Sequence, residues 1–330
     1  MTLTQLNAFV LVARLGSVRA AASALGVSES AVSQALTALR QDLGDQLVTR
    51  SQSGMTLTPG GSRLLGTASQ IVVLGAEAHA AVRAAQGAPE QLRVIATATF
   101  AEFVAAPLME AFSRRFAGAV EVTTGVAPAA EHAVLIANRL ADVAFGTAGT
   151  GEVPLPVVTE PVFKYRLVAV TAAQAGQGLR GSPRQQSPGG RPPGTPRDWR
   201  WLVGPSGTDP GSATSRLLAR LGIPEGNVRV LPSQSAAWSA AADGAGVATA
   251  IEHLVAHQVR RGELAFVDMA GVPADEVWYA TMLERDHRGT AASALRRFLS
   301  TPEAMQVIRS PAAGVPPSRF KPPVYVTIWS

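Results

Sequence analysis

A chain of 330 residues has room for about two domains of ordinary size, and 47% hydrophobic residues support a packed core, which argues against wholesale disorder. The absence of cysteine removes disulfide frameworks, thiolate metal sites and cysteine nucleophiles together, and it fits a cytosolic protein. A net charge of +5 is compatible with nucleic acid, but the bases are almost all arginine, with lysine only at Lys164 and Lys321, so any case for DNA has to come from pattern.

Leu6, Phe9, Val10 and Ala13 recur at helical spacing, and Gln5, Asn7 and Arg14 interrupt the apolar run, so the start reads as a soluble helix and not as a signal peptide. Nor does the chain contain a clear run of ~18 uncharged apolar residues that would cross a membrane. Gly16 ends the first helix. Ser17 reads as the next N-cap, and Val18, Ala21, Ala22 and Leu25 repeat the stripe until Gly26. Ser28 caps a third helix that Gly44 ends and whose buried face is Val32, Leu36, Leu39 and Leu43. Three short helices with glycine-punctuated turns match a helix-turn-helix.

The opposite face of the third helix holds Ser30, Ser33, Gln34 and Thr37, all small or amide-bearing, where an ordinary solvated face would carry more Lys and Glu. Hydroxyls can meet phosphates and base edges, and an amide matches adenine's donor–acceptor pair. Glu29 suits the positive end of the helix and could accept from a cytosine amino group. Residues 46–50 and 55–58 then read as two strands around a tight turn, a wing that puts Arg50 within reach of phosphate or a minor groove. The expected DNA-contacting set is Ser17, Arg19, Ser28, Glu29, Ser30, Ser33, Gln34, Thr37, Arg50 and Ser53.

The run Ala20 and Ala21, Leu25 to Ser28, Ala31 with Ser33 and Gln34, Leu39, Leu43 with Gly44, Leu47, Arg50, and Leu57-Thr58-Pro59-Gly60-Gly61 resembles, in order and spacing, the DNA-binding domain of LysR-type transcriptional regulators. The resemblance covers about the first 85 residues. Val18 stands where that family usually has Phe, Glu29 where Gln is common and Val48 where Phe is common, and Glu29 keeps the family's base preference from being carried over.

Pro59 can open a helix at its first turn. Leu64, Ala68, Ile71, Gly75, Ala78 and Val82 then step by four and three, an a/d seam of small residues that would let two helices approach; the alternative is a helix packed on its own domain. The resemblance implies a linker helix that pairs two subunits, with further pairing of effector domains into a tetramer. Gly87 to Pro89 ends the helix.

From Leu92 the pattern alternates between strands and helices, an α/β arrangement with a largely parallel sheet. Strands are expected at 92–97, 120–124, 143–146, 165–170, 201–204, 228–231, 246–250 and 277–283, and helices at 104–116, 131–140, 213–221, 236–242, 252–261 and 291–300. Two lobes joined by crossing strands would leave a cleft, a common place for a small ligand. The pieces Leu92 to Ala96, Asn138 to Phe145, Gly204-Pro-Ser206-Gly-Thr208 and Ala242 to Ala248 are similar to the LysR-type effector-binding domain, whose fold is like that of periplasmic binding proteins. The expected organisation is therefore a winged helix-turn-helix over 1–58, a linker helix over 59–88 and a two-lobed effector domain over 89–300. Lobe I would span 89–164 and 270–300, lobe II 165–269, and a tail 301–330. Within the tail, residues 324–329 read as a strand, and residues 180–198 read as a Pro/Gly/Arg-rich loop.

Thr97, Ala98, Thr99, Phe100, Gly146 and Thr147 at strand ends of lobe I, and Ser206, Gly207 and Thr208 in lobe II, form the expected effector site, because open α/β sheets place ligands at the C-terminal ends of strands. Hydroxyls and free N–H groups at helix starts favour an anionic group such as a carboxylate. An enzyme lacks assembled chemistry. The 204–208 motif fails as a nucleophile elbow at Thr208, and Gly244-Ala-Gly246 lacks the third glycine of a dinucleotide fingerprint. His253 and His257 could share a helix face, but no Glu follows His253 to complete a zincin frame, so no catalytic, metal or cofactor site is expected. A solute-binding protein fits the lobes but not the N-terminal pattern. The expectation is a cytoplasmic transcription regulator that pairs as a homodimer or homotetramer. It would bind double-stranded DNA at an interrupted inverted repeat, respond to a small molecule and meet RNA polymerase.

Overall fold

The computed structural model describes residues 1–51, 54–116, 118–148, 157–173 and 194–311. Three helices open the chain: α1 (Leu3–Leu15), α2 (Val18–Leu25) and α3 (Glu29–Leu43). Each starts at a side-chain cap. Thr2 and Gln5 form a reciprocal capping box on α1, Ser17 accepts from Ala20 N–H, and Ser28 accepts from Ala31 N–H. Gly16, Gly26 and Gly44 end them, and at Gly44 the left-handed φ of 65° is one that a Cβ would strain. Leu43 departs from the expected buried face: as the last residue of α3 it is 42% exposed, because the helix has already run past α1. Strands β1 (Val48–Ser51) and β2 (Gly54–Leu57) pair antiparallel as the wing.

Helix α4 (Pro59–Ala85) follows, capped by Thr58, and lies along α1. The expected pairing seam is corrected here. Ala68 is 0% exposed within its own chain, Leu64 and Ile71 pack on the same core as α1, and a Cβ at Gly75 would sit 2.6 Å from Leu3. The physical reason is proximity: α1 is apolar almost all round and claims the nearest apolar face of α4. What remains open on α4 is a stripe stepping by four, with Leu74 63% exposed, Ala78 exposed and Val82 59% exposed.

A nine-stranded sheet carries the rest. In lobe I, β3 (Glu90–Ala96) lies parallel between β4 (Val120–Val126) and β5 (Val143–Gly146). In lobe II, β7 (Trp201–Val203) lies parallel between β8 (Val228–Val230) and β9 (Val247–Ile251). The lobes are joined by β6 (Val157–Ala172) and β11 (Ala274–Leu283), which run antiparallel to each other; β10 (Leu264–Phe266) adds to the far end of β6. The first two-thirds of β6 pair with β11 and the last third with β9, so the expected lobe boundary at 164/165 falls inside one continuous strand. Alternation of apolar residues in 157–164 is weak, which hid the first half of that strand.

Helices flank the sheet: α5 (Ala98–Phe100), α6 (Ala106–Phe116), α7 (Ala129–Ala137), α8 (Ala213–Leu221), α9 (Gln234–Ala242), α10 (Glu252–Arg260), α11 (Thr290–Leu299) and α12 (Pro302–Arg309). The helix expected from residue 104 begins at Ala98 instead. A π-helical turn, Ala101–Ala105, joins α5 to α6 just ahead of Pro107, whose missing N–H and bulky ring disturb the regular ladder. The expected tail is also shorter, because α12 buries Ala304 and Ile308 in the lobe I core beside α6. The expected strand at 324–329 and most of the loop 180–198 lie outside the described residues.

Phe100, Phe112, Phe145, Trp278 and Phe298 centre the core of lobe I, while Trp201 and Trp238 anchor opposite faces of the lobe II sheet. At Gly246 a Cβ would lie 2.3 Å from the Arg200 carbonyl, so only glycine lets the start of β9 approach β7 this closely. The core around α1 continues into lobe I through Leu135, Ile136 and Ala144, so the N-terminal helices and lobe I share one apolar cluster.

Candidate DNA-binding face and effector cleft

Helix α3 turns Val32, Leu36 and Leu39 inward and leaves Glu29, Ser30, Ser33, Gln34 and Thr37 exposed. Some of these hydroxyls already serve the backbone. Ser28 Oγ caps α3 at 3.2 Å and lies 2.8 Å from Ser30 Oγ, Thr37 donates to the Ser33 carbonyl at 2.9 Å, and Ser17 caps α2 at 3.3 Å. Arg19 and Arg50 are exposed on α2 and β1 and make no ion pair among the described residues. The side chain of Ser53 lies outside the described residues.

A brace that pattern reading missed holds the wing to α3. Arg40 donates from Nε to the Gln46 carbonyl at 2.7 Å and from Nη2 to the Val48 carbonyl at 2.8 Å. Asp45 Oδ1 accepts from Leu47 N–H at 2.6 Å and from the Thr58 hydroxyl at 2.7 Å, and these two donors hold its carboxyl below the usual range. Leu47 takes a left-handed φ of 61° between them. The signal was present as Asp45 and Thr58 flanking the wing, but neither residue has helical or strand periodicity to mark it.

The second site lies between the lobes. A cleft of about 60 Å³ offers several times the roughly 10–15 Å³ that one water needs. Thr97 and Thr99 at the end of β3 and Thr147 after β5 face Ser206 and Gly207 in the turn after β7, all of them lining residues. Thr99 Oγ1 and Ser206 Oγ stand 3.5 Å apart across the gap. Four expected residues fall away. Phe100 is core, stacked on Phe145 at 4.8 Å and edge-on to Trp278 at 5.0 Å. Gly146 is filled space, since a Cβ there would meet Thr97 at 2.5 Å. Thr208 is exposed, and neither it nor Ala98 lines the cleft. For Ala98 and Phe100 the reason is helical geometry: in a helix starting at Ala98, successive side chains point about 100° apart, and the turn that aims Thr99 at the cleft sends Phe100 into the core.

Lobe II and the crossing strands contribute more than the sequence revealed. Tyr165 and Trp278 form an aromatic wall with ring centres 4.8 Å apart. Gln234 accepts Gly204 N–H at 3.3 Å and donates to the Thr249 carbonyl at 2.8 Å, which also receives Trp238 Nε1–H at 3.0 Å. Thr214 and Thr249 pair hydroxyls at 3.0 Å. These residues come from separate helices and strands, so no local spacing could have grouped them. Burial, then the charge of Asp209 from lobe II, pushes Glu131 on the first turn of α7 up to about 6, and burial also raises Asp209. Among the described residues no Lys, Arg or His lines the cleft, so the expected anionic group would meet no described cationic side chain and would face Asp209. His253 packs edge-on to Phe163 and Trp278, and the described residues hold no group of three or more potential metal ligands.

A helix-turn-helix with a wing, joined by a long helix to two α/β lobes around a cleft, defines a ligand-responsive DNA-binding regulator. Residues 3–62 match the bacterial regulatory helix-turn-helix protein, lysR family, and residues 85–301 match the LysR substrate binding domain. The chain is 35% identical over its full length, and over 100% of the relative, to an uncharacterized HTH-type transcriptional regulator of Mycobacterium tuberculosis. In fold it is similar to CbnR, a LysR family transcriptional regulator (20% identity, 91% of this chain and 98% of that one, TM-score 0.50). It is also similar to a full-length variant of AphB (16% identity, 91% and 98%, TM-score 0.56). The chain belongs to the LysR family and is a DNA-binding transcriptional regulator with an effector-binding domain.

Proposed function

We propose that α3 enters the major groove with Ser33 and Gln34 reading base edges and that Arg50 of the wing holds phosphate. The observation that carries this reading is the split of α3 into a buried apolar face and an exposed face of short polar side chains. Ser17, Arg19, Ser28, Glu29, Ser30 and Thr37 border that face, with Ser28 and Thr37 acting mainly through the backbone they brace. An operator shift assay tests it. Gln34→Ala should cost ~1–3 kcal/mol and relax preference at one base position. Arg50→Ala should weaken binding to all sequences and flatten its salt dependence. Unchanged operator affinity in both variants overturns the assignment.

The proposed chain architecture is a DNA-binding unit over 1–58, a linker helix and an effector domain that includes α12. The chain acts as a homo-oligomer in the cytoplasm, reads an interrupted inverted repeat, contacts RNA polymerase and catalyses no reaction itself. Pairing runs through Leu74, Ala78 and Val82, the apolar stripe that α4 leaves open. Leu74→Asp should lower the oligomeric state in sedimentation and keep the fold, because the side chain is exposed. Ile71→Asp should instead disturb the core that α4 shares with α1. Sedimentation unchanged by Leu74→Asp would place the interface elsewhere.

The effector sits between Thr97, Thr99 and Thr147 on one lobe and Ser206, Gly207 and Thr249 on the other, against Tyr165 and Trp278. Hydroxyls, backbone N–H groups and aromatic faces with Asp209 nearby favour a small polar molecule without net negative charge.

A further inference from the structure

The π-helical turn Ala101–Ala105 carries two side chains that do not enter the cleft. Glu102 and Phe103 reach across to dock on α9 of lobe II, Phe103 packing against the cores of both lobes. Glu102 Oε2 accepts Gln234 N–H at 2.8 Å, and Oε1 accepts Ser235 N–H at 2.8 Å. Beside it, Phe103 stacks on Trp238 with ring centres 4.7 Å apart and planes 19° from parallel. Ser233 caps the same helix locally by accepting Ala236 N–H at 3.0 Å. The first three amides of α9 are therefore all satisfied, two of them by a residue 132 positions away in the other lobe.

A helix start presents unpaired N–H groups and the positive end of the backbone dipole, and a carboxylate is the side chain that fits both. Its hydrogen bonds are charge-assisted, roughly twice as strong as neutral ones. The position also matters. Gln234 and Trp238, which follow these amides on α9, line the effector cleft and both donate to the Thr249 carbonyl. Whatever fixes α9 against lobe I fixes one wall of the cleft and the angle between the lobes.

We propose that Glu102 is a clasp between the lobes, a positioning residue that occupies the start of α9 as an internal anion and holds the closed arrangement before any effector arrives. Phe103 on Trp238 is the pivot beside it. The consequence for regulation rests on the effector reading of the cleft. Apparent effector affinity scales with the fraction of chains already in the binding-competent state, so an intact clasp tightens binding and a broken one weakens it. The clasp itself needs no effector to be detected.

The chain has no cysteine, so two introduced ones take spin labels uniquely. Ala119→Cys in lobe I and Glu225→Cys in lobe II are exposed positions suited to measuring the distance between lobes in the full-length protein. Adding Glu102→Ala should broaden that distance distribution toward an open form and speed amide exchange at Gln234 and Ser235 roughly tenfold or more. Glu102→Gln keeps the shape but loses the charge and one acceptor oxygen, so it should give an intermediate result, which a purely packing role would not. Ser235→Pro removes one accepted N–H without touching Glu102, at a helix position where proline is tolerated, and should also open the lobes. Distances and exchange unchanged in all three variants overturn the proposal. Because neither readout involves ligand, a cleft that bound no effector would leave these results standing and would reject only the effector reading.

Discussion

The two lobes solve the same local problem differently. Each ends a central strand in a turn that offers hydroxyls to the cleft. In lobe I the turn after β3 runs straight into a nineteen-residue helical stretch from Ala98 to Phe116, interrupted only by its π turn. In lobe II the turn after β7 is a short 3-10 segment, Pro205–Thr208, and α8 starts separately at its Ser212 cap. The surroundings differ as well. Behind Thr97 and Thr99 stand Phe100, Phe145 and Trp278 in mutual ring contact. Behind Ser206 stand Gln234, Thr214 and Thr249 in a hydrogen-bonded network. Lobe I is built as an apolar platform, lobe II as a polar recognition surface, and the clasp at Glu102 fixes one to the other.

The largest expected effect follows from breaking the platform. Phe100→Ala deletes a fully buried ring with two aromatic partners and should cost ~3–5 kcal/mol of stability. Thermal unfolding with amide exchange checks it: β3 and β5 should lose protection first while β7 and β9 keep theirs. A loss shared equally by both lobes would show that they unfold as one unit and would remove the distinction drawn between them.

A smaller effect sharpens the recognition side. Thr99→Val with Ser206→Ala removes the facing hydroxyls at the mouth of the cleft. With two hydrogen bonds of ~0.5–1.5 kcal/mol each, effector binding should weaken roughly tenfold or more while operator affinity stays unchanged. The check is titration with ligand released from the purified wild-type protein and identified by mass spectrometry. Full affinity in the double variant would move the site away from these two turns.

The difference between the lobes also decides what could be read from the chain. Lobe I hydroxyls Thr97 and Thr99 follow a plain apolar strand, and Ser206 follows a short motif, so strand-end reasoning reached them. The DNA-binding helices were more legible still, because capping serines, terminal glycines and apolar stripes are all local. Phe100 was misplaced because the helix start at Ala98 is hidden by Pro107, which draws attention to a later first turn. Gln234, Thr249, Tyr165 and Trp278 were missed because they meet only through the crossing strands. The face of α4 was misjudged because periodicity marks an apolar stripe without saying which partner covers it, and α1 lay closest.

The last effect is a proton balance, and it also discriminates between the lobes. His132 on α7 is buried against Thr97 and Gly146, with Nε2 3.1 Å from the Ala127 carbonyl, and burial holds its pKa down to about 4 against that hydrogen bond. Burial likewise lowers His253 on α10 to about 4, opposed by a backbone hydrogen bond to Ile308 and assisted by Arg309. Both rings are neutral in the fold, whereas in the unfolded chain they take up protons near 6.5. The unfolded state therefore binds more protons below that pH, and stability that is complete above 6.5 is lost as the pH falls toward 4. Glu131 acts in the opposite direction. Its folded pKa of about 6 lies above the ordinary 4.5, so its penalty is present when it is ionised and is relieved as the pH drops through that interval. Two histidines with larger displacements outweigh one carboxyl, so Tm should fall between pH 6.5 and 4. Glu131→Gln should be more stable than wild type at pH 7 and should fall more steeply between 6 and 4.5, because the offset is gone. Amide exchange at acidic pH should loosen α7 and β5 of lobe I before the Gln234 network of lobe II. A Glu131→Gln curve parallel to wild type would mean that burial and Asp209 leave the Glu131 carboxyl at its ordinary 4.5, ionised throughout the neutral range, and the offset assigned to it would be withdrawn.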